Sequence, residues 1–308
     1  MVSLAPIALA ALDSAQLDLA ALDFFQLAML EVVLAGALAG VVGVLVVLRE
    51  RAFFTMSLTH ATFPGAVAAA ILGVSIPLGA AIAAAALIAV AVGIGRIRSQ
   101  GPAVASGVML TAGFALGAFL QSVTPLAIDV ESFLVGQVLA VTGSDIALTS
   151  LVLAAALAVW ALAGRHLLFS SADEAGYRRA GMAPWLPETL ALAVIAGTVV
   201  AIMPVVGAIL GVALIVAPAA AARLLVRDWR WMLVLAPAIG VASGVLGLWA
   251  SRWLDIAAGG AIALVAAAAY GLAWLLSSLR ARPSGAARTV ATDERDPAAH
   301  ATIEARTP

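Results

Sequence analysis

The chain contains neither cysteine nor lysine. Without cysteine there are no disulfides, no thiolate metal ligands and no sulfur nucleophile. All 16 basic residues are arginine, which excludes the phosphate-binding G-x-x-x-x-G-K-[ST] loop, Schiff-base chemistry and a Ser-Lys dyad. If the chain works with ATP, a separate protein must hydrolyse it. Charge is scarce as well. Only 11% of the 308 residues are charged, against 64% hydrophobic, and the mean hydropathy is +1.12. A lipid bilayer is the natural solvent for that composition. The net charge of −1 offers no footprint for nucleic acid. The nucleophile elbow G-x-S-x-G is absent too.

What is present is a succession of apolar runs. A spanning helix needs about 20 mostly apolar residues. Nine runs qualify, at 24–48, 55–75, 77–95, 103–122, 146–164, 187–203, 205–226, 231–251 and 256–279. The expected fold is an all-α polytopic membrane protein with eight to nine spans. The second run opens with Thr55, Ser57, Thr59 and His60 and contains Pro64-Gly65, so it reads as a broken or re-entrant helix. Met203-Pro204 marks the expected turn between the sixth and seventh runs.

Arginines concentrate in every second connection: Arg49 and Arg51, Arg96 and Arg98, then Arg165, Arg178 and Arg179. Arg223, Arg227 and Arg230 follow, then Arg280 and Arg282, against Arg252 alone on the other side. Short arginine-rich loops stay cytoplasmic, so the expected topology has the N-terminus outside and the C-terminus inside. Residues 1–23 carry Asp13, Asp18 and Asp23 without a basic residue, as suits an external segment rather than a signal peptide. Residues 24–280 form the membrane domain, and 281–308 read as a disordered cytoplasmic tail. Residues 129–145 are amphipathic and flanked by Asp129, Glu131 and Asp145, which places them along the outer face as a cation lure or a merely solvated surface. The longest cytoplasmic loop, 165–186, has helix formers between Ala172 and Met182, enough for about two turns. His166 reads there as a helix-end cap for the dipole.

His60 carries most of the functional interest. A helix starting near Ala52 places it ~12 Å deep, near the middle of a ~30 Å core. A side chain that can ionise is costly there and turns to the bundle interior or a wet path. Met56 lies one turn earlier on the same face. Neutral imidazole binds first-row metals and a thioether suits softer ions. Alternatively His60 hydrogen-bonds to a neighbouring helix and Met56 fills space. Glu31, ~10 Å into the first run, is either an acid on an ion path or a carboxyl turned to the interface or buried with its proton. Pro218, among Ala213, Ala217 and Ala219 to Ala222, is a packing kink or a hinge.

The stretch VVLRERAFFTMSLTHATFPGAVAA resembles a signature of the permease subunits of bacterial zinc, manganese and iron ABC importers, the ABC-3 family. Those chains commonly read LR, a short apolar run, then G-D-x-x-S-H-x-x-x-P-G. GVMLTAGFALGAFLQS, FLVGQVLAVTGSD and VVGAILGVALIVAPAAAARLL resemble further family segments in the same order. The resemblance spans about residues 24–279. It implies a type II-like importer bundle with alternating access across a homodimer. ATP-binding-cassette subunits would lie inside and a metal-binding protein outside. No cofactor is bound permanently, and the cargo is a transition-metal ion, zinc or manganese. The family pairs an aspartate with the histidine; here Met56 replaces that aspartate, which leaves Glu31 as the candidate substitute. Asp173 and Gly181 match the spacing of the family's coupling segment, with Tyr177, Arg178 and Arg179 expected to touch the ATPase. Rival readings are a permease for haem or siderophore chelates, a carrier without ATPase partners and an intramembrane hydrolase. The last would have only the adjacent Ser57 and His60 to work with.

Overall fold

The computed structural model describes residues 23–94, 102–123 and 136–280. The expectations for the two terminal segments, for Arg96 and Arg98 and for Asp129 and Glu131 lie outside the described residues.

Asp23 starts the first helix, α1 (Phe24–Leu48), through a capping box with Gln26. The helix ends in a tight turn where Glu50 takes a φ of 55°. Next come α2 (Ala52–Ala61) and α3 (Phe63–Leu72), two halves of one span interrupted at Thr62. The break follows from Pro64, which has no N–H to return to the His60 carbonyl. Helices α4 (Ile76–Ile94) and α5 (Pro102–Ser122) follow. A short 3-10 turn, Val138–Ala140, leads into α6 (Gly143–Ala172), and α7 (Glu174–Arg179) lies in the loop after it. The chain closes with α8 (Trp185–Val206), α9 (Ala208–Leu225), α10 (Trp229–Leu254) and α11 (Ala258–Arg280). Among the described residues, eight spans are long and apolar enough to cross a membrane, and α9 is a shorter apolar helix.

Two boundaries differ from the sequence reading. The turn between the sixth and seventh runs is at Gly207, not at Met203-Pro204. Pro204 is tolerated in the last turn of α8, whereas the reversal needs the φ of 90° that glycine adopts at Gly207. The fifth span also runs two turns further than hydropathy suggests. Arg165 to Ser171 are polar enough to leave the membrane yet continue α6, so His166 is not at a helix end and caps no dipole.

Helix α1 is the axis of the bundle. From Ala35 to Val46 it is almost wholly buried, and α10, α9, α6 and α8 surround it. Its sequence GALAG meets GVASG of α10: a Cβ on Gly36 would sit 2.6 Å from the Gly240 carbonyl oxygen. Such small-residue faces let helix backbones touch where lipid supplies no hydrophobic drive. Gly65 of α3 and Gly79 of α4 form a second close crossing. Leu38, Leu45, Ile195, Ile202, Ile215 and Met232 fill the interior. Ile82, Val108, Phe119 and Leu264 point outward from the peripheral helices, as a lipid-facing surface requires.

Candidate functional site

The polar residues that open α2 largely satisfy themselves. Thr55, Ser57 and Thr59 are buried and donate to the carbonyls of Arg51, Phe53 and Met56 at 2.9, 2.8 and 2.7 Å. This back-bonding accounts for hydroxyls in an apolar segment. His60 differs. Its Nδ1 lies 3.1 Å from the Met56 carbonyl and 3.1 Å from the Thr59 hydroxyl. The carbonyl can only accept, so that contact places the proton on Nδ1 and leaves the Nε2 lone pair available. Phe114 of α5 meets the ring edge-on at 5.9 Å. Met56, a turn before, is 43% exposed. The Phe53, Met56 and His60 side of α2 is thus the side its own bundle covers least.

Glu31 does not join this pair. Along helices leaving one turn, it is ~27 Å and His60 ~14 Å from that turn at ~1.5 Å per residue. Its side chain is buried, and Oε1 accepts from Thr149 of α6 at 2.6 Å, while Oε2 is buried without a partner. Among the described residues no group of three or more His, Asp or Glu side chains could hold a metal ion. His60, Met56 and Glu31 therefore do not converge within one chain. Pro218 is buried in α9, and Ile215 and Ala219 on either side of it lie against Gly43 of α1. Close packing explains the small residues around it.

The loop after α6 explains the Asp-to-Gly spacing. Asp173 ends α6 and caps α7, its carboxylate accepting from the Gly176 N–H at 2.7 Å. Gly181 terminates the turn with a φ of 75°, and the Gly181 and Met182 N–H groups return to Arg178 and Tyr177. The spacing is the length of one capped short helix. Arg178 pairs with Glu174 at 2.5 Å, and both are exposed; Arg179 is exposed as well. Tyr177 corrects the expectation of an outward contact. It is 4% exposed, turned back onto Phe169 and His166, with ring centroids at 5.4 and 6.2 Å and its hydroxyl 3.3 Å from His166 Nδ1. The extension of α6 supplies the two rings that receive it. A cleft of about 560 Å³ lined by Leu162, Arg165, His166, Phe169 and Met182 flanks this contact.

One cluster was not legible in the sequence. Arg49 reaches Glu188 of α8 at 2.6 Å, Ser170 at 2.5 Å and the Leu167 carbonyl at 3.2 Å. Arg51 holds the other Glu188 oxygen at 2.5 Å. Burial pulls the Arg49 guanidinium below its ordinary pKa, and Glu188 pushes it back up. The two arginines had signalled only topology.

The whole arrangement has known counterparts. The model of the ABC 3 transport family matches residues 21–277. The manganese transport system membrane protein MntC of Halalkalibacterium halodurans is 33% identical over 259 residues, 82% of this chain and 87% of that protein. MntC of Listeria monocytogenes is 31% identical over 257 residues, covering 82% and 91%. Among solved structures, PsaBC from Streptococcus pneumoniae in complex with Fab superposes with a TM-score of 0.75 at 28% identity, covering 86% of this chain and 95% of that one. With its spans, its motifs in order and its capped loop between α6 and α8, this multi-pass membrane protein belongs to the ABC 3 transport family, as a permease component of ABC transporter complexes.

Proposed function

We propose that this chain is the membrane subunit of an ATP-driven importer for a divalent transition-metal ion, manganese in the first instance. The observation that carries the reading is the uncovered face of α2, where His60, held through Nδ1 by the Met56 carbonyl, lies one turn from the exposed Met56 side chain; with the proton on Nδ1, Nε2 is the nitrogen that would meet an ion. The printed names of the similar MntC proteins support manganese as the ion. The arginine distribution supports a cytoplasmic C-terminus, which puts α7 on the ATPase side and the start of α1 outside. There an extracytoplasmic binding protein would deliver the ion.

One chain offers a lone imidazole, too few donors for tight capture. A second copy across a two-fold axis would contribute a second histidine and methionine, so that the ion passes between two α2 helices. Without the family's aspartate the site lacks a hard, charged oxygen, and manganese prefers such ligands. Weak holding favours release, with selectivity left to the delivering protein. At the other end, Arg178 and Arg179 on the outer side of α7 are the residues to meet the ATPase, while Tyr177 fixes the angle of the helix.

Uptake of manganese ion into proteoliposomes holding the complex tests the reading. His60→Ala should lower uptake about tenfold or more, as expected for loss of a group that contacts the ion. Met56→Asp should lower the ion concentration needed for half-maximal uptake. Unchanged uptake in the histidine variant would remove the ring from the route.

A further inference from the structure

The cluster gathers the turn between α1 and α2, the end of α6 and the start of α8 around one carboxylate and one guanidinium. Arg49, whose side chain is 7% exposed, sits in the turn between α1 and α2. From there it binds the last turn of α6 through Ser170 and the Leu167 carbonyl, and the start of α8 through Glu188. Arg51, the residue that opens α2, binds the same carboxylate. The last turn of α6 is in turn fused to α7. Asp173 is at once the end of one helix and the cap of the next, and Tyr177 is seated on His166 and Phe169 of α6. No flexible linker intervenes between α7 and Arg49, or between Arg51 and the helix that carries His60.

We propose that Arg49, Glu188 and Arg51 are the positioning residues that make α7, the end of α6 and the start of α2 move as one rigid unit, so that displacement of the cytoplasmic helix reaches the His60 segment. A guanidinium fork suits the task because several fixed donors hold acceptors on two helices at defined angles, which a lysine point charge does not. Removing Glu188 leaves two arginines facing each other at one partly buried point, and the unit should come apart there rather than at its apolar crossings.

This inference rests on the ATP-driven reading above, and the experiment separates the two. In proteoliposomes holding the complex with its ATPase, manganese uptake and ATP hydrolysis are measured together for the wild type, Glu188→Gln and Arg49→Lys. Absence of ATP-dependent uptake in the wild type would overturn the functional reading itself. The link predicts that the assembled variants still hydrolyse ATP but carry about tenfold less manganese per ATP, a typical coupling magnitude. A purely structural role would lower both in proportion; an unchanged ratio of ions to ATP therefore overturns the link. A second measurement does not depend on the variants folding. The chain has no cysteine, so Glu50→Cys and Ala175→Cys, both at exposed positions, can carry spin labels without background. The distance between them should be the same with and without bound ATP. A distance that changes across the cycle would show α7 moving independently of the α1–α2 turn and would overturn the proposal.

Discussion

Replacing Gly36 with alanine isolates the contact that organises the bundle. The new Cβ would lie 2.6 Å from the Gly240 carbonyl oxygen, where ordinary contact begins at 3.4 Å, a shortfall of about 0.8 Å. The obstructing atoms are backbone, so no side chain can rotate away, and relief requires α1 and α10 to separate by a similar distance. A gap of 0.5–1 Å forfeits roughly a quarter to a half of each dispersion contact, and overpacking of this kind costs about 1–3 kcal/mol. In detergent solution, Gly36→Ala should therefore unfold several degrees below the wild type when heating is followed by tryptophan fluorescence. Gly271→Ala is the control: no atom lies within 4 Å of its added carbon, and alanine is favoured over glycine inside a helix by about 0.5–1 kcal/mol. Adding Gly240→Ala to Gly36→Ala should cost less than the sum of the singles, because one displacement of the helix axes relieves both. Equal unfolding temperatures for Gly36→Ala and Gly271→Ala would refute the close crossing.

Three further outcomes can be checked. Asp173→Ala removes the cap of α7 at a cost of about 1 kcal/mol, and amide exchange across residues 174–180 should accelerate; unchanged protection would mean that the carboxylate does not hold the turn. Gly181→Ala forces a side chain into a φ of 75°, at about 1 kcal/mol, and should loosen the same amides without altering the unfolding of the spans. Glu31→Gln retains an acceptor for Thr149 and should leave both thermal unfolding and manganese uptake near wild type; uptake lost in a stably folded variant would return Glu31 to the ion's route.

The spans were legible because lipid imposes a single requirement, apolar length, that hydropathy reads directly. The break in the second span was legible from Pro64 for the same reason that it exists. Boundaries set by backbone geometry were less so: Pro204 drew attention to a turn that Gly207 makes, since proline is detectable by type whereas a positive φ is not. The end of α6 was missed because Arg165, His166 and Ser170 mark departure from the membrane, which is not where a helix must stop. That error hid the rings that receive Tyr177. The Arg49–Glu188 pair joins residues 139 positions apart, and no local pattern announces it. The GALAG and GVASG faces were not singled out in the sequence either, since small residues are scattered through every span and nothing local says that these two meet. At the candidate site, His60 and Met56 were legible as a pair on one helical face, whereas the partner that occupies the Glu31 carboxyl, Thr149 of α6, lies 118 positions away and no local pattern announces it.

The central position of α1 bears on how the protein is made. Its glycine face is complemented by α10, about 200 residues later in the chain, and at roughly 5–20 residues per second the ribosome needs about 10–40 s to supply it. Until then α1 waits in the membrane without its main neighbour, although Thr149, the partner of Glu31, is made earlier. Assembly of this bundle is thus timed by its tenth helix, and chains truncated before Trp229 should be substrates for membrane quality control rather than partly working transporters.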